Sequence, residues 1–244
     1  MEGARVQGLV PHLPPNQPRA SARWWCADGF VTSDGVVTVE SLEQRATPTA
    51  VTAPCGIAAP CSLPGPVMDH LACGQTRADQ LRALTRWTPK RLFGAVREFA
   101  RAQQRGKRHP RRHANESMSA LDRRRLARFY AATPLLAATP TRPWQSTAAA
   151  YLFEVDAAAW LSSLALPPHQ ISSDDPKSIA RRETIVAALE EGRVGLRVAL
   201  PERAYPIGSL PALEAVVCIF AAAWMLQNTP EAPATDAEAW IPVP

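Results

Sequence analysis

The hydrophobic positions of this chain change period along its length. In the N-terminal quarter, short runs of apolar and β-branched residues stand between turn residues, the pattern of strands. Arg5–Val10 is the first run and stops at the proline-rich stretch Pro11–Pro18. Ala22–Ala27 is the second, with Asp28-Gly29 after it as a turn signal, and Gly35–Glu40 is the third. Together they predict an antiparallel meander. Thr49–Ala53 predicts a fourth short strand, ended by Pro54 and Gly56.

The middle of the chain switches to helical spacing. Asp79 can cap a helix reaching Arg86, and Thr88-Pro89 opens another over Lys90–Gln104, with Leu92, Phe93, Val96, Phe99 and Ala100 on one face. Gly106–Glu116 has no apolar period and reads as an exposed loop. Ser119–Tyr130 resumes helix, and Thr133–Pro143 reads as a proline-containing connection. The last hundred or so residues read as an α/β unit. Ala150–Val155 is a strand that runs into a helix over Asp156–Leu164. Asp175-Pro176 caps a helix that Gly192 stops, and Val194–Leu200 is a strand candidate. Ser209 precedes Leu210–Leu226, a helix apolar on nearly every side and therefore buried on nearly every side. Ala239–Val243 is a final extended piece. This pattern predicts one α/β domain over 1–244, a mixed sheet of about five strands with flanking helices and a helical insertion at about 66–143.

Composition adds three facts. The 244 residues include 24 prolines, so many connections are stiff and non-helical. Basic side chains are 24 arginines and three lysines. The net charge of +5 is unevenly placed. From Arg97 to Arg128, eleven basic and three acidic residues give +8, and the remainder carries −3. A cluster of this kind attracts phosphates, and arginine can grip them bidentately. Arg105, Lys107, Arg108, Arg111, Arg112, Arg123 and Arg124 are the candidate contacts to RNA or DNA. An acidic protein partner or a solubility role competes with that reading. Stacking aromatics are scarce in the loop, with Phe129 and Tyr130 just beyond it. Arg123, Arg124 and Arg125 cannot all point one way on a helix.

No signal peptide is evident, and the longest apolar run, Ala215–Leu226, is too short to cross a bilayer. Five cysteines, an odd number, suit a reducing compartment better than a disulfide framework. The expectation is a cytoplasmic protein that engages no membrane.

Several short motifs appear in order along the chain: Thr52-Ala53-Pro54, Phe153-Glu154-Val155, Lys177 with Arg181-Arg182, Ala212-Leu213-Glu214-Ala215, and Glu238-Ala239-Trp240-Ile241 with Pro244. In this order the chain resembles an uncharacterised bacterial family of predicted nucleases with a ribonuclease-H-like fold. The resemblance implies carboxylates that hold two Mg²⁺ or Mn²⁺ ions for phosphodiester hydrolysis. It also implies an Asp where this chain has Val10, another where it has Thr52, and Asp-Ala-Leu-Asp-Ala where it has Pro211-Ala212-Leu213-Glu214-Ala215. Glu154 and Glu214 are the candidate catalytic and metal-binding residues that remain. A two-ion site needs more hard oxygen ligands than that. The expectation is a catalytically degenerate member, with an active metal-dependent hydrolase using Glu154 and Glu214 as the alternative. An apolar cleft at Val10 and Thr52 would mark the noncatalytic form.

Each candidate has a plainer reading. Glu154 could be an exposed edge-strand acid. Glu214, on the first turn of the apolar helix, could serve the helix dipole. Lys177 and Arg181 lie four apart on one helix face, suited to a phosphate but equally to solvent. Cys55, Cys61, His70 and Cys73 offer four zinc ligands, yet their spacing lacks the paired knuckles of structural zinc sites, and buried thiols are the simpler account. Cys218 reads as packing.

Overall fold

In the computed structural model, residues 3–14, 17–46, 48, 51–63, 65–71, 76–104, 123–140, 150–192 and 196–228 are described. Six strands form one mixed sheet: β1 (Ala4–His12), β2 (Arg23–Val31), β3 (Val36–Arg45), β4 (Cys55–Ile57), β5 (Leu152–Glu154) and β6 (Arg197–Ala199). Their order is β5-β4-β1-β2-β3-β6. β2 is antiparallel to β1 and β3, while β4 pairs β1, β5 pairs β4 and β6 pairs β3 in parallel. The expected meander is present, and the sheet has one strand more than expected.

Three local readings change. Asp28-Gly29 is no turn but lies inside β2, opposite a bulge in β3, where Glu40 is the extra residue and the pairing shifts register. A Cβ at Gly29 would overlap the Thr38 carbonyl, so the glycine serves the bulge. The turn itself is at Asp34-Gly35, with Gly35 at φ 77°. The fourth strand lies after Pro54, not before it. Pro54 has no N–H, but its carbonyl accepts from the Gln7 N–H (3.0 Å) and starts the parallel ladder. Pro11 is tolerated inside β1 because β4 pairs only Gln7–Leu9, leaving no strand beside Pro11 on that side.

Helices cover both faces. On one face lie α1 (Gly65–Leu71), α2 (Arg77–Thr85), α3 (Pro89–Gln104) and α4 (Arg123–Ala138). Leu81, Leu84, Leu92, Leu126 and Phe129 pack there with Leu9, Cys26, Cys55 and Ile57 of the sheet. On the other lie α5 (Ala157–Ser163), α6 (Pro176–Glu191), α7 (Ala204–Gly208) and α8 (Leu210–Gln227). Their core includes Val6, Val10, Phe153, Trp160 and most of α8.

α2 is capped by Thr76, whose hydroxyl oxygen accepts from the Asp79 N–H (3.2 Å), so Asp79 sits inside the first turn. α4 runs through Thr133 and Pro134 to Ala138, where sequence punctuation predicted a connection. Pro134 cannot donate to the Tyr130 carbonyl four residues back. Arg19 supplies the missing donor, its Nε lying 2.8 Å from that oxygen. The Arg19 guanidinium also donates to the Thr85 carbonyl (2.7 Å) and stacks 4.0 Å from the Tyr130 ring centroid. Asp156 and Asp175 cap α5 and α6 as expected, and Gly192 ends α6 at φ 78°.

α8 is long and apolar enough by composition to pass for a membrane span, but 67% of it is buried inside the fold. It lies flush on the sheet. A Cβ at Gly8 would overlap the Ala215 carbonyl oxygen, and one at Gly56 the Cys218 carbonyl oxygen. Glycine at these two points lets helix and sheet backbones meet. Ala239–Val243 lies outside the described residues.

Candidate functional site at the carboxyl ends of the parallel strands

β1, β4 and β5 run in parallel, so their carboxyl ends form one edge of the fold, the place where open α/β sheets bind ligands. The register aligns Leu9, Ile57 and Glu154. The residues just past this line decide the chemistry.

Glu154 closes β5 and is only 5% exposed. Its Oε2 accepts from the Cys61 N–H at 3.1 Å, and its Oε1 from Arg125 Nη2 at 2.9 Å. Burial pushes its carboxyl above the ordinary carboxylate range, and the Cys61 N–H and Arg125 oppose that shift. It is therefore not an exposed edge acid. Glu214 stands past the first turn of α8, where the dipole reading fades. Its Oε2 accepts instead from Arg128 Nη2, with both side chains largely buried. Arg128 Nη1 also reaches the Ala58 carbonyl at 3.3 Å. Arg125 and Arg128 are three apart on α4, which places them side by side on one helix face. α4 thus sets one guanidinium against each retained carboxylate.

The other expected acids are absent from this edge. Val10 is fully buried among apolar side chains of the α8 face. Thr52 does not approach it, because Thr52 precedes β4 while Glu154 lies level with Ile57 at its far end. The expected shared cleft at Val10 and Thr52 does not form. The Ala-Pro that follows the strand end is Ala59-Pro60, and the position after Ile57 is Ala58, buried. Thr52 belongs to a separate polar patch: its N–H donates to Gln7 Oε1 (3.0 Å), and Gln7 Nε2 donates to Asp28 Oδ1 (2.7 Å). Ser41 Oγ and Arg45 Nη2 complete the Asp28 surroundings at 3.4 and 3.5 Å.

These positions test the divalent ions that the resemblance implies. Among the described residues, no group of three or more His, Cys, Asp and Glu side chains could hold a metal ion. Each remaining carboxylate already accepts from a guanidinium, whose permanent positive charge disfavours a cation beside it. The described residues do not fit a two-metal centre. The described zinc candidates, Cys55, Cys61 and His70, form no such group either. Cys55 is fully buried with its thiol pushed well up by desolvation, His70 is exposed against Phe99 (ring centroids 5.3 Å apart), and Cys73 lies outside the described residues.

The basic candidates divide. Arg105, Lys107, Arg108, Arg111 and Arg112 lie outside the described residues. Arg123 and Arg124 are exposed at the start of α4, while Arg125 turns toward Glu154. Phe129 and Tyr130 are buried and offer no stacking platform. Lys177 is exposed, and Arg181 donates to the His169 carbonyl at 3.0 Å.

Sequence reasoning missed Arg182, which is 1% exposed. Its Nη1 donates to the Ile171 and Ser173 carbonyls (2.7 and 2.8 Å), and its Nε to the Ile207 carbonyl. Ser178 Oγ takes the Gln170 carbonyl at 2.9 Å. α6 therefore holds the loop His169–Ser173 almost carbonyl by carbonyl, and that loop forms one wall of a cavity it shares with α5, α8 and Arg124. The Lys-x-x-x-Arg-Arg spacing was the visible signal, but it does not reveal that the second arginine points inward. No protein-family model matches the chain, and no curated protein or solved structure matches it.

Proposed function

We propose that this chain is a ribonuclease-H-like member of the bacterial predicted-nuclease family it resembles, without the family's metal chemistry, and that it contacts RNA or DNA through its basic helical segment. The strand order β5-β4-β1-β2-β3, with β2 running against the others, supports the fold assignment. The observation that carries the functional reading is the pairing of both retained carboxylates with α4 arginines, Glu154 with Arg125 and Glu214 with Arg128. A nuclease centre needs those oxygens for metal ions. Here they orient guanidiniums instead, at an edge next to the exposed Arg123 and Arg124. The buried, unbridged thiols of Cys55 and Cys218 support a cytoplasmic setting.

The test uses purified full-length protein with single-stranded and duplex RNA and DNA, in the presence of Mg²⁺ or Mn²⁺. The expected result is binding that weakens steeply with salt, because phosphate contacts release counterions, and no cleavage. Metal-dependent cleavage lost in Glu154→Gln would establish the hydrolase instead. Absence of any mobility shift at low salt would end the nucleic-acid reading.

A further inference from the structure

Two cavities meet at Arg124, of about 260 Å³ and about 630 Å³. Arg124, Ser172 and Leu210 line both. The smaller is walled mainly by apolar side chains, among them Ala158, Leu161, Leu213 and Val217, with Glu214 as its carboxylate. The larger is mixed, with His12, Ser209, Asp174 and Arg128 facing Pro11, Leu13 and Pro211. Among the described residues Arg124 makes no ion pair, whereas Arg128 is held by Glu214 and the Ala58 carbonyl. Glu214 spends Oε2 on Arg128, which leaves Oε1 to accept another hydrogen bond.

The wall between these cavities is fixed in advance. Ser178, Arg181 and Arg182 hold the carbonyls of His169, Gln170, Ile171 and Ser173. Gln170 is kept at φ 57°, a left-handed conformation uncommon for residues other than glycine. A loop held in such a conformation by buried side chains marks a shaped site, since the ordering entropy is spent before a ligand arrives.

We infer that this groove holds one nucleotide unit of a single strand, its base in the smaller cavity and its phosphate against Arg124. The smaller cavity offers a planar heteroaromatic ring apolar walls, and Glu214 Oε1 can accept from an exocyclic amine, which favours an amino-bearing base such as adenine over uracil or thymine. The free guanidinium at the junction meets the phosphate with charge-assisted hydrogen bonds. The inference rests on the nucleic-acid reading above and names the nucleotide site within it.

Calorimetry with AMP, adenosine and inorganic phosphate tests it, beside a mobility shift with a short labelled oligoadenylate. AMP should bind more tightly than adenosine or phosphate alone. Arg124→Ala should weaken AMP about tenfold and leave adenosine unchanged. Ala158→Leu, at an exposed position on the first turn of α5, should fill the base cavity, abolish adenosine binding and leave phosphate unchanged. Should Ala158→Leu fail to fold, Arg124→Ala with the adenosine and phosphate controls decides alone. AMP binding unmoved by either substitution would overturn the site. Oligoadenylate binding without AMP binding would overturn the site and leave the nucleic-acid reading standing. AMP binding that both variants weaken, without any oligoadenylate shift, would support the nucleotide site and end the nucleic-acid reading.

Discussion

The two faces of the sheet are held by different physics. On one, α8 sits so close that glycine is required at Gly8 and Gly56, and contact is backbone against backbone, among buried apolar side chains. On the other, α4 packs Leu126 and Phe129 inward and sends Arg125 and Arg128 to the strand ends, where they meet acids 29 and 86 residues away in sequence. The first face is a tight fit that has no room to change. The second is a set of long side chains that could be rearranged while the fold stays, and the candidate site lies at the strand ends, where those side chains meet α8.

The largest effect expected from this contrast is at the glycines. Gly56→Ala places a methyl group against the Cys218 carbonyl and the Val155 side chain, and Gly8→Ala one against the Ala215 carbonyl. Neither backbone can move without lifting α8, so each substitution should cost about 3 kcal/mol, read from denaturant midpoints at constant slope. A loss below about 1 kcal/mol would mean that α8 is not seated as tightly as the contrast requires.

Next in size is the ion pair on the other face. Arg128→Leu leaves Glu214 largely buried without its partner and should cost about 2 kcal/mol. Adding Glu214→Leu should restore most of it, because two apolar groups replace the pair. A double variant as unstable as Arg128→Leu alone would show that Arg128 acts through the Ala58 carbonyl rather than through Glu214.

α4 itself depends on a distant residue, which gives a third effect of about 1.5 kcal/mol. Arg19→Met deprives the Tyr130 carbonyl of its donor at the point where Pro134 lacks an N–H. Pro134→Ala should restore the helical hydrogen bond, and in that background Arg19→Met should cost about half as much. Equal costs in both backgrounds would assign Arg19 to its Thr85 contact and its stacking on Tyr130 instead.

The contrast also explains what could be read in advance. The buried character of α8 is written in consecutive apolar residues, and the caps Asp156 and Asp175 are local signals, so both were legible. Gly56 was visible, but as a stop signal, and Gly8 passed unmarked within the first strand run, because close backbone approach is a tertiary demand with no local signature. For the same reason Pro134 read as a helix end: its compensation comes from Arg19, more than a hundred residues earlier. Glu154 and Glu214 stood out through the resemblance, while their arginine partners were submerged in a run of like charges. Only the parallel pairing of β4 with β5 shows that Ala58, not Thr52, stands level with the site.

The smallest effect is the one that most directly weighs the two influences on Glu154. Burial raises its carboxyl above the ordinary value of 4.5, so between that value and the raised one the folded chain binds more protons than the unfolded chain. The resulting stability is fully present below about pH 4.5 and is lost as pH rises through the raised value. Glu154→Gln removes this titration while keeping an acceptor for the Cys61 N–H. The variant should match the parent in acid and gain on it as pH rises, levelling once the parent carboxyl is ionised. Urea midpoints across that range measure the difference. A variant that instead falls behind the parent as pH rises would show the Arg125 pair outweighing desolvation, and the α4 face would then be held by charge as firmly as the α8 face is held by fit.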